Sequence, residues 1–328
     1  MVDANEARRL VILGTGGTIA GRATAASDNV GYVAGQVAVA DLVAAVPALA
    51  GVSCEVEQVA QVDSKDMGLP VWQALVRRLA HHLEDPAVAA VVITHGTDTL
   101  EETAFLLQQL LQPRKPVVLT CAMRPASALT PDGPQNLSDA VAVAREPGAG
   151  GVMVVCAGQV HTATDVSKVH TYRTDAFDSG DAGPVACVEE GRVRRFRPWP
   201  ADVRATGGDH DAGALARFLA ADALPRVELL ISHADAGGAM VQALLAQGET
   251  DPVQAVRGIV VAGTGNGTVH QALAEALDVA QARGVPVLLT SRCARGHVVP
   301  HPGLAFVAAD DLSPVKARLG LALALLAD

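Results

Sequence analysis

Two glycine-flanked threonine turns carry the residues best suited to chemistry in this chain. The first is Gly14-Thr15-Gly16-Gly17-Thr18-Ile19-Ala20-Gly21, directly after an apolar run. The second is Thr94-His95-Gly96-Thr97-Asp98-Thr99-Leu100-Glu101-Glu102-Thr103. Glycines after a buried strand let backbone N–H groups approach a ligand closely. A threonine hydroxyl in such a turn becomes a nucleophile if a neighbouring base takes its proton. Lysine occurs only at positions 65, 115, 168 and 316, and Lys168 stands in Thr164-Asp165-Val166-Ser167-Lys168, shortly after an apolar run. Unlike arginine, lysine can lose its proton when desolvated, which suits proton transfer to a hydroxyl. A plain surface-loop lysine is the alternative. Tyr32, one of two tyrosines, follows Thr18 in a Gly/Ala-rich loop, either as a partner for a hydroxyl or as a small hydrophobic anchor.

Other readings compete for these segments. Gly14 and Gly16 have the spacing of a dinucleotide fingerprint. Such a turn opens directly into a helix, however, and an acidic residue ends a second strand about 20 residues later. Here it leads into residues 22–35, a stretch of Ser, Asp, Asn and glycines that reads as a mobile loop. A strand-to-loop turn without chemistry is a further alternative. In the second turn, Asp98 or Thr99 can cap the following helix while Glu101 and Glu102 complement its dipole. That accounts for the glutamates and leaves the crowding of two threonines and an aspartate unexplained. His95, Asp98 and Glu102 are potential metal ligands, but no second ligand cluster supports them. Pro300 spoils a helical pair of His297 and His301, so no metal is expected.

These residues need a frame that brings them together. Continuous Val/Ile/Leu runs predict strands at 9–13, 54–62, 88–94, 116–120, 151–156, 227–232, 258–262 and 285–290, of the kind buried on both faces. Helical patterns alternate with them. The expected fold class is α/β with two domains: a larger N-terminal one with a mainly parallel sheet and helices on both faces, and a smaller C-terminal doubly wound one. In one helix Trp72, Leu75, Val76, Leu79 and Leu83 share a face, and Arg77, Arg78, His81 and His82 fall on the other. Ser313 as N-cap and Pro314 as first residue open a final helix through Leu326. The stretch 192–211 combines clustered arginines, prolines and glycines without a period. Domains are therefore expected over 1–200 and 215–328, with a linker at 201–214. In a parallel sheet, residues beyond the strands' carboxyl ends share one edge. Thr18, Ser64, Thr97, Asp98, Lys168 and Asn266 all follow such ends.

Composition narrows the classes. Half of the 328 residues are hydrophobic and 18% are charged, which is too apolar for disorder and enough for two cores. A formal net charge of −10 without any basic run argues against nucleic acid or an anionic membrane as partner. No stretch approaches the roughly 18 apolar residues of a membrane helix. The five cysteines form no Cys-x-x-Cys pair and read as reduced thiols of a cytoplasmic protein. The apolar run at 10–13 is too short for an export signal.

In their order along the chain, the two turns resemble the two signatures of the bacterial-type L-asparaginases. Val62-Asp63-Ser64-Lys65-Asp66-Met67, Ala122-Met123-Arg124-Pro125, Asp132-Gly133-Pro134-Gln135-Asn136-Leu137 and Gly263-Thr264-Gly265-Asn266-Gly267 are similar to that family in order and spacing, so the resemblance spans the chain. It implies an amidohydrolase that releases L-aspartate and ammonia from L-asparagine through an acyl-enzyme, with no cofactor. A glutaminase-asparaginase of broader specificity and a non-catalytic amino-acid-binding protein are the alternatives. The resemblance implies Thr18 as nucleophile, assisted by Tyr32, and a second set of Thr97, Lys168 and Asp98. It implies a substrate site of Gly17, Ser64, Lys65, Thr97, Asp98 and Asn266, with Ser64 and Asp98 on the α-carboxylate and α-amino groups. It also implies a homotetramer of close dimers in which Asn266 reaches the neighbour's site. Two departures stand out. Position 65 is lysine where the periplasmic members usually have glutamine. The segment 292–302, where those members carry an acid that helps bind the α-amino group, contains none.

Overall fold

The computed structural model describes residues 8–202 and 213–326, and the chain divides into two compact units, Met1–His210 and Asp211–Asp328. Of the expected linker at 201–214, residues 203–212 lie outside the described residues.

In the first unit the apolar runs form β1 (Arg9–Gly16), β2 (Cys54–Val62), β3 (Val88–Thr94), β4 (Pro116–Thr120) and β5 (Gly151–Cys156). They are followed by β6 (Gln159–Thr162), a separate ribbon of β7 (Ser167–Lys168) and β8 (Phe177–Asp178), then β9 (Ala186–Glu189) and β10 (Arg192–Arg195). The main sheet has the order β10-β9-β6-β5-β4-β3-β1-β2. β1 to β5 run parallel, and β6, β9 and β10 extend the sheet antiparallel.

Helices α1 (Val39–Ala44), α2 (Leu69–Glu84), α3 (Leu100–Leu111) and α4 (Gly133–Ala144) cover its faces. Leu10, Ile12, Val92, Val118 and Met153 pack with Leu137 and Ala140 of α4 and Val39 of α1. The alternate residues Val11, Leu13, Val91, Ile93 and Val117 are as fully buried, on the face where α2 and α3 meet the strands. Each such side chain contributes about 1.5–3 kcal/mol of burial. β2 departs from the expectation of strands buried on both faces. It is an edge strand, its sequence intersperses Glu and Gln among apolar residues, and it is only half-buried.

In α2, Trp72 Nε1 donates to Thr103 Oγ1 of α3 at 2.9 Å. His82, expected on the polar face, is buried instead, 1% exposed, with Nε2 3.3 Å from Glu57 Oε2. The spacing explains it: His82 stands three residues after Leu79 and seven after Leu75, on their side of the helix.

The second unit has one parallel sheet in the order β11 (Val227–Ile231), β12 (Gly258–Gly263), β13 (Val287–Ser291) and β14 (Val307–Ala308). With α5 (Ala214–Ala220) preceding it, α6 (Ala239–Thr250) and α7 (Gln271–Ala282) pack on Ile259, Val261 and Leu289. α8 (Pro314–Ala324) packs on Val227 and Val260, so both faces are covered. Ser313 makes no capping bond through its side chain, and α8 starts on the backbone preference of Pro314.

Candidate active site

Because β1 lies between β2 and β3, the turns that follow these three strands meet at one carboxyl edge. Gly16 and Gly17 have φ of 104° and 81°, open only to glycine at little cost. A Cβ on Gly96 would fall 2.4 Å from Ser64 Oγ, so the turns are packed as closely as backbone allows. Gly17 N–H donates to the Val62 carbonyl at 2.9 Å. Gly17 itself therefore shapes the turn and offers no backbone donor.

The tight turn Thr18–Ala20 leaves Thr18 6% exposed, with Oγ1 2.6 Å from the Tyr32 hydroxyl. Residues 22–35 fold back through a bridge between Arg22 and Val33, and the Tyr32 ring lies where a Cβ on Gly21 would be. Burial pushes the Tyr32 phenol up. Its bond to Thr18 opposes this, and the negative charges of Asp98 and Asp63 add to it. Tyr32 is thus a neutral hydroxyl around pH 7.

The second threonine has a different partner. Lys168 Nζ donates to Thr97 Oγ1 at 2.8 Å and to Asp98 Oδ1 at 2.5 Å. The Lys168 side chain is 18% exposed and that of Asp98 52%. Asp98 N–H donates to Ser64 Oγ at 3.1 Å, and Thr99 Oγ1 donates to the Ser64 carbonyl at 2.8 Å. Ser64 Oγ is thereby held as an acceptor, and its own proton points elsewhere. Thr99 precedes α3 without capping it through its side chain.

Lys65 and Asn266 are engaged differently. The Lys65 ammonium lies 2.6 Å from Asp66 and 3.1 Å from Asp63, which push its pKa up. Asn266, after β12 in the second unit, accepts from Val299 N–H at 2.7 Å and donates to the Val299 carbonyl at 3.1 Å. It clamps the acid-free segment 292–302.

His95 is fully buried with Nδ1 2.7 Å from the Gly96 carbonyl, and burial pushes its pKa down to about 4. It is a neutral support beneath the turn. Among the described residues no group of three or more His, Cys, Asp or Glu side chains is placed to hold a metal ion.

Two further residues organise this edge without having been singled out for a role by sequence reasoning. The Asp132 carboxylate accepts the N–H groups of Met123 and Arg124 at 3.0 and 2.9 Å. Asn136, buried in α4, donates to the Cys121 carbonyl and accepts from Ala157 N–H, each at 2.9 Å. It ties the end of β4 to the end of β5. A polar amide on the apolar face of a helix is the signal that points to it, since buried polar groups are almost always bonded.

The edge thus carries a hydroxyl paired with a phenol and a second hydroxyl paired with an ammonium–carboxylate couple. Together they can supply a nucleophile and a path for protons. A family model described as "Asparaginase, N-terminal" matches residues 9–200, and one described as "Glutaminase/Asparaginase C-terminal domain" matches residues 226–328. The chain belongs to the asparaginase family. Its asparaginase relatives include L-asparaginase 2 of Bacillus subtilis, 34% identical over 325 residues, which span 96% of this chain and 81% of that protein. Glutaminase-asparaginase of Pseudomonas fluorescens biotype A is 35% identical over 319 residues, 94% of this chain and 84% of that protein. The solved structure of a probable cytoplasmic L-asparaginase from Campylobacter jejuni superposes with a TM-score of 0.86 at 36% identity, covering 97% of this chain and 95% of that one.

Proposed function

We propose that this protein is an L-asparagine amidohydrolase, with its catalytic domain over 1–200 and a C-terminal domain over 215–328. The observation that carries the reading is Lys168 Nζ within hydrogen-bond reach of both Thr97 and Asp98, at the edge that also presents the Thr18–Tyr32 pair.

Thr18 Oγ1 attacks the side-chain amide carbon as its proton passes to the Tyr32 oxygen, which gives up its own phenolic proton to the path toward the leaving nitrogen. The C–N bond breaks, and the departing ammonia takes its proton through Thr97, which Lys168 and Asp98 keep polarised. Water then attacks the ester carbon, the bond to Thr18 Oγ1 breaks as a water proton returns along the same path to that oxygen, and aspartate leaves. The Ser64 hydroxyl proton donates to the substrate α-carboxylate, and Asp98 pairs with the α-ammonium. Gly17 forms the wall of this pocket, and Lys65 adds positive potential beside the carboxylate. Asn266 reaches the site from a neighbouring subunit in a homotetramer of close dimers. Free cysteines and the name of the Campylobacter relative support a cytoplasmic location. The Pseudomonas relative's name favours, as the second reading, an enzyme that also hydrolyses L-glutamine.

Ammonia release from L-asparagine and L-glutamine, measured side by side for the native protein and Thr18→Val, tests both readings. Release from asparagine that disappears in Thr18→Val is expected, and the glutamine rate decides between them. No release from either amide by native protein that still binds aspartate would leave an amino-acid-binding protein.

A further inference from the structure

A ribbon with two residues in each strand does not hold its own shape in water, yet Lys168 stands in one. β7 pairs with β8 so that Lys168 lies opposite Phe177. The place of its ammonium is therefore imposed by what the ribbon docks against. On the β7 side, Lys168 N–H reaches Glu101 Oε1 only at 3.4 Å, and buried Val166 before it donates to the Thr162 carbonyl at 3.1 Å. On the β8 side the contact is short and dry. Ser179, two residues beyond Phe177, places Oγ 2.8 Å from His161 Nδ1, and each residue is 3% exposed. His161 belongs to β6 and is registered opposite Val154 of β5 in the main sheet, so its position does not depend on the ribbon.

We propose that His161, acting through Ser179, is a positioning residue that sets the reach of Lys168 Nζ to Thr97 and Asp98. The proposal rests on the reading of Thr97, Lys168 and Asp98 as catalytic machinery. A buried bond of this kind is costly to break, because each group is left without that partner where water does not replace it. Releasing it lets the β8 end of the ribbon shift. A shift on the order of 1 Å at a reacting group lowers a rate by about a hundredfold.

The test uses full-length protein and three variants. Ser179→Ala and His161→Leu remove the bond, and His161→Asn keeps a hydrogen-bonding group near the Nδ1 position. The chain has four lysines, at 65, 115, 168 and 316. Protein labelled with ¹³C at lysine Cε therefore gives four NMR signals, and Lys168→Arg identifies the one of interest. In Ser179→Ala and His161→Leu the Lys168 signal moves while the other three stay. At the same time kcat for asparagine falls about ten- to hundredfold with KM changed less than about threefold, and His161→Asn restores both. An unmoved Lys168 signal in Ser179→Ala overturns the proposal, as does a loss of activity confined to KM. If the native protein releases no ammonia from asparagine, the catalytic reading fails on its own. The Lys168 signal then still decides whether His161 sets the ribbon.

Discussion

Gly17 and Gly96 stand backbone to backbone: a Cβ built on Gly17 falls 2.2 Å from Gly96 Cα. This contact joins the turn that carries Thr18 to the turn that carries Thr97, and it leaves no room for a methyl group on Gly17. Gly17→Ala must also hold alanine at φ 81° and ψ −170°, a region essentially confined to glycine, about 1–3 kcal/mol for the conformation alone. Adding the overlap, the variant is expected to lose more than about 3 kcal/mol of stability, and its ammonia release with it. Gly284 is the control, because its φ is 82° and nothing lies within 4 Å of its Cβ position. Gly284→Ala, at the left-handed turn that ends α7, should cost only its own conformational strain, about 1–2 kcal/mol. Denaturant unfolding of both variants measures the difference.

His95 predicts a pH dependence of stability. Its pKa of about 4 in the fold compares with 6.5 for an ordinary imidazole, so the unfolded chain binds this proton first. The stability contribution is whole above about pH 6.5 and is lost as the pH falls toward 4. Below that both states are protonated and the change stops. The gap corresponds to roughly 3 kcal/mol. Unfolding curves between pH 7 and pH 4 should show a smaller loss in His95→Gln than in the native protein, and equal losses would refute this origin.

Asn136→Leu should separate the ends of β4 and β5. It leaves the Cys121 carbonyl and Ala157 N–H without the side chain that now satisfies them, at a cost of about 1–3 kcal/mol for the buried Cys121 carbonyl and less for Ala157, which is exposed to water. The expected signature is a lower denaturant midpoint with an unchanged slope. A midpoint equal to that of the native protein would mean the strand ends are held by other contacts.

Lys65→Gln separates stability from binding. The Lys65 side chain is 61% exposed, and exposed ion pairs contribute at most about 1 kcal/mol, so unfolding should hardly change. The substitution leaves Asp63 and Asp66 without their cation next to Ser64. KM for asparagine should then rise several-fold, and less so at high salt, because the effect is electrostatic. A KM that stays constant across ionic strength would remove Lys65 from the substrate site.

The parallel strands β1 to β5 and β11 to β13 were legible, most clearly β1, β3, β4, β5 and β12, which are covered on both faces, whereas the two-residue β14 was not. Burial on two sides demands an apolar residue at every position, and that demand is written as a continuous run. The convergence of Thr18, Ser64 and Thr97 at one edge follows from parallel topology alone. β6, β9 and β10 were not legible. They are four residues each, and β10 is Arg-Val-Arg-Arg. Their pairing rests on partners distant in sequence, such as Val160 with Ala186.

Residue types and local spacing by themselves determined which segments are buried, where the backbone must turn, and which side chains are able to move protons. They did not determine which donor meets which acceptor. Thr18 and Tyr32 are 14 residues apart, His161 and Ser179 are 18, and Lys168 and Thr97 are 71. Hydrogen bonds act only over about 3 Å and along fixed directions. A partner at such separation is chosen when the sheet closes and the Lys168 ribbon docks on β6, and only the tertiary structure decides that.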